Sequence, residues 1–419
     1  MRVRHIARRA GRNAGCAVPL MRRVAVTGIG VVSAFGDTFG DFWTGVAAGV
    51  SAIRPMTLVP PGSLRFANAA EAAGFDPLRH FDEKEILYLD RFAQFAAVAA
   101  REALASAQLQ HPLGDRAAIV TGCCTGGQST EDENFHALYA GNQRVSPLTI
   151  PRVMGNAGAS RISSEFGITG PVYTVSTACS SSNHAIGQAF WMVRSGVVDV
   201  ALAGGSEAPF SLGFLKSWEA MRVVAPDTCR PFSLGRRGLI LGEGAAMLVL
   251  EPLEAARARG AQIWGEIAGF GMSSDAHHLT QPLAAGAARA MRAALSDAGA
   301  SPDAVGYINA HGTGTTANDA TETEAIREVF GRHAGRLLVS STKSMHGHAL
   351  GAAGALEAAA TLAALRGGII PPTANFIEPD PACDLDVVPN HPRSAEVQWA
   401  MSNSFAFGGL NAVLMFRRA

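Results

Sequence analysis

The segment STACSSSNHAIGQAF (176–190) places a single cysteine, Cys179, between an apolar run and a helical pattern. A cysteine at the mouth of a helix faces free backbone N–H groups and the positive end of the helix dipole. Both favour the thiolate, so we expect the pKa of Cys179 to fall below the value of about 8.5 for a free thiol. The same N–H groups can hold the oxyanion that forms when sulfur attacks a carbonyl carbon. The competing interpretation is an inert cysteine in the core, which is common in folded proteins.

Two histidines elsewhere in the chain favour the interpretation of Cys179 as a nucleophile over its interpretation as an inert core cysteine. His311, in NAHGTGTTANDATETE, directly follows an apolar run and lies in a glycine-rich loop. His348, in STKSMHGHALGAAGALE, begins a helical pattern rich in alanine and glycine. A lone histidine is more often structural, but junctions between strands and helices collect ligands in α/β sheets. We therefore interpret Cys179, His311 and His348 as one constellation that forms a candidate site.

The elements that must position these residues alternate along the chain. Short apolar runs predict buried strands, and Ala-rich stretches with helical periodicity predict helices. Strands are predicted at 23–36, 117–122, 171–178, 199–205, 245–252, 263–273, 305–312, 336–342 and 411–418. Helices are predicted at 91–107, 180–194, 285–298, 320–330 and 349–366. This alternation indicates an α/β fold with largely buried sheets, divided near residue 255.

Charge and cysteine usage argue against several classes of protein. The 419 residues contain 35 basic and 35 acidic side chains, and this balance argues against binding to nucleic acid or to a membrane surface. No stretch reaches the roughly 18 continuous apolar residues that a transmembrane helix needs. The six cysteines include no CxxC pair, which predicts reduced thiols in a cytoplasmic protein rather than a disulfide framework.

The N-terminal segment differs from the rest of the chain. Residues 1–23 contain seven arginines and no acidic residue, and they lack the continuous apolar region of a secretory signal. Met21 directly precedes the first predicted strand. We therefore predict that residues 1–21 are a disordered basic extension or an over-long gene start, with a targeting peptide as the alternative.

Four segments carry a family resemblance. They are TACSSS (177–182), NAHGTGT (309–315), KSMHGHALGAAGALE (343–357) and NSFAFGGLN (403–411). In order and spacing they resemble the signatures of β-ketoacyl-acyl-carrier-protein synthases, and most of all those of the type II elongating enzymes. The resemblance implies a thiolase-like α/β fold of five αβαβα layers and a dimer. It also implies two similar halves, 22–255 carrying the nucleophilic cysteine and 256–419 carrying the two histidines, with the site between them.

The resemblance implies a decarboxylative Claisen condensation. Cys179 would hold the acyl chain as a thioester, while His311 and His348 would bind the malonyl thioester carbonyl and promote loss of CO2. Two imidazole N–H donors suit this step, because negative charge develops on the thioester oxygen. The product would be a 3-oxoacyl-acyl-carrier protein. Substrates would arrive on the phosphopantetheine of an acyl carrier protein, and no other cofactor and no metal is expected.

Further residues take roles from the same resemblance. Lys343 matches the family's active-site lysine and Glu357 its buried acid, although an ion pair that only orders the His348 loop is an equal alternative. The remaining roles are an oxyanion N–H at Phe407, a gate at Phe405 and Ala406, contacts to the phosphopantetheine arm at Thr313, Thr315 and Asn411, and an acyl pocket at Thr125 and Trp218.

The residue type at the position of the second histidine, His348, distinguishes the members of the family. Cys-His-His is the decarboxylating, elongating pattern, whereas chain-starting enzymes pair cysteine with His and Asn. Several positions depart from the fatty-acid enzymes, namely His346, Ala406, Leu410, Arg237, Thr125 and the apolar and acidic segment 82–92. Together, the segments SSSNHAIGQA (180–189), GTGTTANDATE (312–322) and SMHGHALGAAG (344–354) resemble more closely the ketosynthases of specialised type II polyketide or polyene pathways, such as the aryl-polyene and nodulation-type enzymes. Housekeeping fatty-acid elongation is the alternative.

The resemblance leaves the partner subunit open. A homodimer and a heterodimer with a chain-length-factor homologue both fit the sequence. A further alternative is that this chain is itself such a factor, which shapes the tunnel without catalysing. Chain-length factors lack the cysteine, and the presence of Cys179, His311 and His348 argues against that role.

Overall fold

Strands and helices alternate along residues 21–419, which the computed structural model describes. The predicted N-terminal extension lies outside the described residues except for Met21. The strands are β1 (Val24–Val32), β2 (Arg54–Pro55), β3 (Asn68–Ala69), β4 (Ala117–Gly122), β5 (Val172–Val175), β6 (Val200–Glu207), β7 (Gly244–Pro252), β8 (Gly265–Ser274), β9 (Val305–Asn309), β10 (Leu338–Ser340), β11 (Ile369–Ile370), β12 (Arg393–Ser394), β13 (Trp399–Ala406) and β14 (Leu410–Arg417). The α-helices are α1 (Phe39–Ala47), α2 (Glu83–Ile86), α3 (Arg91–Ala107), α4 (Gln128–Gly141), α5 (Thr149–Val153), α6 (Ala157–Phe166), α7 (Ser181–Arg194), α8 (Leu212–Met221), α9 (Leu253–Ala258), α10 (Ala284–Ala298), α11 (Thr316–Phe330), α12 (Lys343–His346) and α13 (Ala353–Gly367).

Ten strands form one continuous sheet with an internal repeat. Its order is β10-β9-β13-β14-β8-β1-β7-β6-β4-β5. At the centre β1 and β8 pair antiparallel through residues 24–26 and 265–267. On each side of this junction the same pattern follows. On one side, β1 pairs antiparallel with β7 and β7 with β6, and then β6 pairs parallel with β4 and β4 with β5. On the other side, β8 pairs antiparallel with β14 and β14 with β13, and then β13 pairs parallel with β9 and β9 with β10. The chain therefore repeats one five-stranded arrangement twice.

Helices cover both faces of each five-stranded set. α3 packs on β1 and β7, and α10 packs on β8 and β14, each on the face of its set opposite α7 and α13. α7 and α13 pack against each other and against strands of both sets, so they form a central layer. Residues 353–365 of α13 are all buried, as expected for a helix that is apolar on every side. This order of helix, sheet, helices, sheet and helix is the thiolase-like αβαβα fold, which confirms the predicted fold class.

The predicted elements omit the eight-residue strand β13 and several helices, among them α1, α4, α6 and α8. The predicted helix 349–366 begins later, because residues 350–352 form a turn of 3-10 helix before α13. Segment 82–92 contains the short helix α2 and the start of α3, and the side chains of Leu87 and Tyr88 between them are exposed. Among the described residues, no helix combines the length and the apolar character that crossing a membrane requires.

Candidate active site

Cys179 lies in a tight turn between β5 and α7. Ala178, just before it, has a φ of 51°, a left-handed conformation that costs an L-residue about 1 kcal/mol or more. The turn is held by hydrogen bonds from Ser181 N–H to the Ala178 carbonyl (3.1 Å) and from Thr177 N–H to the Ser181 hydroxyl (2.9 Å). A strained strand-to-helix turn of this kind projects a nucleophile out of the chain. The Cys179 side chain is buried but lines a cavity of about 120 Å³, called here the Cys179 cavity.

The electrostatics of the thiol differ from the prediction. Burial raises the pKa of Cys179 to about 11, although the Lys343 ammonium and the backbone N–H groups of Phe407 and of Cys179 itself favour the thiolate. The prediction of a pKa below that of a free thiol is therefore wrong, because desolvation of the charged sulfur outweighs the favourable N–H groups. These two N–H groups lie at the sulfur, where they can also hold the oxyanion of an attacked carbonyl.

The two histidines lie beside each other in the same cavity. His311 follows β9 and His348 follows α12, and their ring centroids are 5.5 Å apart with the planes at 84°. Burial lowers the pKa of each well below its ordinary value, and the Lys343 ammonium lowers both further. Both imidazoles are therefore neutral at physiological pH, and a neutral imidazole has one N–H to donate. The structure thus brings all three residues of the predicted constellation to one cavity.

Lys343 and Glu357 form a fully buried ion pair on α12 and α13. Burial raises the pKa of Glu357 to about 7, and the Lys343 ammonium opposes this rise. The ammonium also favours the thiolate of Cys179 and the neutral forms of His311 and His348. The pair joins α12, which precedes His348, to α13, and its ammonium shifts the pKa of all three residues of the constellation.

Buried carboxylates hold the loop that carries His311. Glu322, on α11, accepts hydrogen bonds from the backbone N–H groups of His311 (2.9 Å) and Gly312 (2.8 Å). Asp319, one turn earlier, accepts from the N–H of Gly314 (3.2 Å) and lies 3.4 Å from the buried Arg236 guanidinium. The sequence analysis missed these acids. Their spacing of three residues in NDATETE, which places both on one face of α11, was the available signal.

Glu207 is a second anchor that the sequence analysis missed. It ends β6, is fully buried, and accepts from the backbone N–H groups of Cys124 (2.7 Å) and Gly351 (3.0 Å) and from the Thr125 hydroxyl (2.7 Å). It therefore joins a loop of the N-terminal half to the turn that follows His348. The available signal was the position of this acid directly at the end of the apolar run DVALAGGSE, which predicts that it is buried. A buried carboxylate needs several hydrogen-bond donors, so it must connect to neighbouring segments.

The residues predicted for substrate contact divide between two cavities. Trp218, Thr313, Thr315 and Asn411 all line the Cys179 cavity, and the hydroxyls of Thr313 and Thr315 are 2.9 Å apart. Thr125 does not line it. With its hydroxyl bonded to Glu207, Thr125 lines a neighbouring surface cavity next to Cys124, Asn156 and Tyr173, and the structure gives no contact between Thr125 and the Cys179 cavity.

The predicted gate is the hairpin between β13 and β14. Ala406 ends β13 in extended backbone paired with Leu410, and the left-handed residues are Gly408 (φ 84°) and Gly409 (φ 71°). Phe405, Ala406 and Phe407 line the Cys179 cavity, and the Phe407 ring stacks on Trp218 with centroids 6.2 Å apart. The backbone freedom of this hairpin therefore lies at the two glycines and not at position 406.

The segment 275–283 lies at the mouth of the cavity, and its first residue, Asp275, forms hydrogen bonds to this hairpin. Its backbone N–H donates to the Gly409 carbonyl (2.9 Å). Its carboxylate accepts from the Asn411 amide (2.7 Å) and from the Leu283 N–H (3.1 Å). The Gly408 N–H donates to the Leu279 carbonyl (2.7 Å). Any opening of the hairpin must therefore break or move these contacts.

A pair of alanine substitutions tests whether this contact controls access to Cys179. A Cβ at Gly409 would lie 2.5 Å from the Asp275 Cβ, whereas a Cβ at Gly408 meets nothing closer than 3.8 Å. Both positions have positive φ, so both variants carry a similar backbone cost of about 1 kcal/mol. We expect Gly409→Ala to slow single-turnover acylation of Cys179 by about tenfold or more relative to Gly408→Ala. Equal acylation rates would show that the Asp275 contact does not control access.

Comparison with known proteins places the chain among condensing enzymes along its whole length. Two family models match, Beta-ketoacyl synthase, N-terminal domain, at residues 21–256 and Beta-ketoacyl synthase, C-terminal domain, at residues 264–377. Nodulation protein E of Rhizobium sp. (strain N33) is 49% identical over 402 residues, which cover 95% of this chain and 99% of that protein. 3-Oxoacyl-(acyl-carrier-protein) synthase 2 of Staphylococcus aureus (strain COL) is 40% identical over 407 residues, covering 95% and 98%. A solved structure, the ishigamide ketosynthase/chain length factor, has a TM-score of 0.91 at 39% identity and covers 95% of this chain and 100% of its own.

Proposed function

Because this chain belongs to the β-ketoacyl synthase family of acyl-transferring condensing enzymes, we propose that Cys179, His311 and His348 carry out its decarboxylative condensation. The observation that carries this proposal is that a buried thiol and two neutral imidazoles line one cavity. The reaction joins an acyl group on Cys179 to the carbon that a malonyl thioester exposes when it loses CO2. Its product is a 3-oxoacyl thioester on the carrier.

The first step loads the acyl chain. The Cys179 sulfur attacks the carbonyl carbon of the incoming thioester, and the oxyanion lies against the N–H groups of Cys179 and Phe407. The carrier's thiolate leaves and takes the proton that the Cys179 thiol gave up. Because the pKa of Cys179 is about 11, little thiolate is present at rest, and the thiol must lose its proton as the attack proceeds.

The second step uses the histidines. When the malonyl thioester loses CO2, the electron pair of the broken C–C bond moves onto the thioester carbonyl as an enolate. His311 and His348 each direct a neutral N–H donor to that oxygen, where charge develops only in the transition state. A protonated imidazole beside the Lys343 ammonium would be strongly disfavoured, so the low pKa values keep both rings in the donor form suited to this step.

The third step forms the product. The enolate carbon attacks the carbonyl of acyl-Cys179, and the same two N–H groups hold the second oxyanion. The bond to the Cys179 sulfur then breaks, and the departing thiolate takes up a proton from water, the one proton that the overall reaction consumes. Thr313, Thr315 and Asn411 lie along the cavity where the phosphopantetheine arm would run, and their hydroxyl and amide groups suit its amides.

We further propose that the enzyme serves a specialised type II polyketide or polyene pathway. The higher identity to nodulation protein E (49%) than to 3-oxoacyl-(acyl-carrier-protein) synthase 2 (40%) supports this reading. Housekeeping elongation of fatty acids is the competing assignment. A non-catalytic chain-length-factor role is disfavoured, because such a protein has no use for a thiol and two imidazoles at one cavity.

We propose the cytoplasm as its compartment, an acyl carrier protein as its substrate partner, and a second condensing-enzyme subunit as its structural partner. β5 is the last strand of the sheet and pairs only with β4 within residues 21–419. An open strand edge in a soluble protein is usually covered. The exposed apolar side chains on the nearby helices α4 and α5 and just beyond them are Phe135, Tyr139, Ile150 and Met154. The covering subunit is another copy of this chain or a chain-length-factor homologue, and co-purification from the native host distinguishes the two.

The proposed reaction is tested with purified protein, an acyl-carrier thioester and malonyl-carrier protein. Mass spectrometry should detect an acyl group on Cys179 after the first substrate and a 3-oxoacyl carrier two carbons longer after both. Absence of the 3-oxoacyl product in the presence of an acylated Cys179 would reject the condensation. The chain trapped on Cys179 in the native host tests the pathway, because a polyunsaturated chain supports the specialised role and a saturated one supports housekeeping.

Thr125 gives a prediction about chain length. We keep the proposal that it lines the acyl pocket, which requires the neighbouring cavity to receive the distal end of the chain. Thr125→Phe should then shorten the longest product while decarboxylation continues. Thr125→Val, which has nearly the same volume but loses the hydroxyl bond to Glu207, should leave the product length unchanged. Identical product distributions for all three proteins would exclude Thr125 from the pocket, and equal shortening by Val and Phe would assign the effect to the Glu207 contact.

A further inference from the structure

His346 departs from the residue that fatty-acid enzymes usually carry and has no role in the steps above. It ends α12, three residues after Lys343 and two before His348, and only 1% of it is exposed. Its backbone N–H donates to the Thr342 carbonyl (3.2 Å), and the following N–H, of Gly347, donates to the Lys343 carbonyl (3.0 Å). His346 therefore lies in the short turn that connects the ion pair to the catalytic histidine.

The imidazole connects to the ion pair through two side chains. Its Nε2 lies 2.9 Å from the Thr342 hydroxyl. The same hydroxyl accepts from the Asn309 amide (3.5 Å), which also donates to the Glu357 backbone carbonyl (3.3 Å). Glu357 in turn holds the Lys343 ammonium. A path of polar contacts thus runs from His346 to the backbone carbonyl of Glu357, the residue whose carboxylate pairs with Lys343.

The charge state of His346 suits a positioning role. Burial and the Lys343 ammonium lower the pKa of His346 to about 3, so the ring is neutral at physiological pH. It therefore supplies a polar contact to Thr342 without adding a second cation next to Lys343. The ring also packs against Phe42 of α1, with centroids 5.9 Å apart, so its contribution has a polar part and a packing part that substitutions can separate.

We propose that His346 is a positioning residue for the decarboxylation step, acting through its nitrogen contact to Thr342 rather than through the volume of its ring. The contact holds Thr342 and Asn309, and through them the backbone that places Lys343, Glu357 and His348. Loading of Cys179 depends less on this path, because the Cys179 turn is held by contacts of its own to residues 177–181 and only the Lys343 charge connects the path to the thiol. The proposal rests on the function proposed above.

Two substitutions separate the polar part from the packing part. His346→Phe keeps an aromatic ring against Phe42 and removes the nitrogen, whereas His346→Gln keeps a polar group near Thr342 and removes the ring. We expect His346→Phe to decarboxylate malonyl-carrier protein about tenfold or more slowly than wild type, with an unchanged KM for that substrate. His346→Gln should recover most of the rate. In both variants, single-turnover acylation of Cys179 measured by mass spectrometry should fall far less than decarboxylation does.

Three outcomes would overturn the proposal: wild-type decarboxylation in His346→Phe, equal losses in the Phe and Gln variants, or parallel losses of acylation and decarboxylation. If His346→Phe does not fold, Thr342→Val gives the same test, since it removes the hydroxyl and leaves His346 in place. Thr342→Val must then slow decarboxylation selectively. Failure of wild-type protein to decarboxylate the malonyl thioester would instead refute the proposed function, so the two failures are distinguishable.

Discussion

The Cys179→Ala variant should lose acyl transfer and condensation and keep malonyl decarboxylation. Removal of a catalytic nucleophile costs on the order of 10⁶ in rate when it acts with its partners as a unit. No other described thiol can replace it. Of the remaining free cysteines, Cys124 lines the neighbouring cavity, and Cys123, Cys229 and Cys383 are buried outside the Cys179 cavity. Decarboxylation continues because His311 and His348 stay in place.

The measurement is single-turnover transfer from an acyl-carrier thioester, followed by mass spectrometry of the intact protein. Cys383→Ala is the matched control, since this thiol is buried in the hydrophobic core of the C-terminal half. It should acylate and elongate like wild type. Elongation by the Cys179→Ala protein would show that another group carries the acyl chain.

The His311→Ala and His348→Ala variants should show the opposite pattern. Each loses one donor to the enolate oxygen, and loss of an oxyanion donor costs roughly 10² to 10³ in rate. We expect malonyl decarboxylation to fall by at least two orders of magnitude in either variant, while acylation of Cys179 changes little. The thiol keeps its contacts to the N–H groups of Cys179 and Phe407 and the nearby charge of Lys343.

The pH dependence of wild-type decarboxylation gives an independent check on the histidines. The pKa values of His311 and His348 lie well below the ordinary value of 6.5, so the donor forms persist as the pH falls through that value. The histidines should therefore cause no loss of decarboxylation with a midpoint near 6.5. Unchanged decarboxylation in either alanine variant would contradict the assignment of two neutral donors, and so would a loss centred near 6.5 that persists in Glu357→Gln, which removes the carboxyl with a pKa of about 7.

Much of the architecture could be predicted from local patterns. Strand β4 (Ala117–Gly122) and helix α3 (Arg91–Ala107) have the bounds that were predicted, because strongly apolar runs and long periodic segments specify their own type. The eight-residue strand β13 was missed, and so were the two-residue strands β2, β3, β11 and β12. Each of the four short strands depends on a partner segment brought close by the fold, and so short a segment has no periodicity to detect.

The candidate site likewise has features that local sequence patterns predict and features that depend on the tertiary structure. The sequence alone determined that Cys179, His311 and His348 stand at junctions between elements, because glycine-rich turns after apolar runs are local signals. Only the tertiary structure decided the charge states. The helix N-terminus favours a thiolate at Cys179, yet burial against the second half of the chain raises its pKa to about 11. Burial likewise makes neutral donors of the two histidines. Desolvation depends on everything that surrounds a group, and residues far away along the chain supply those surroundings here, as the Phe407 N–H at the Cys179 sulfur illustrates.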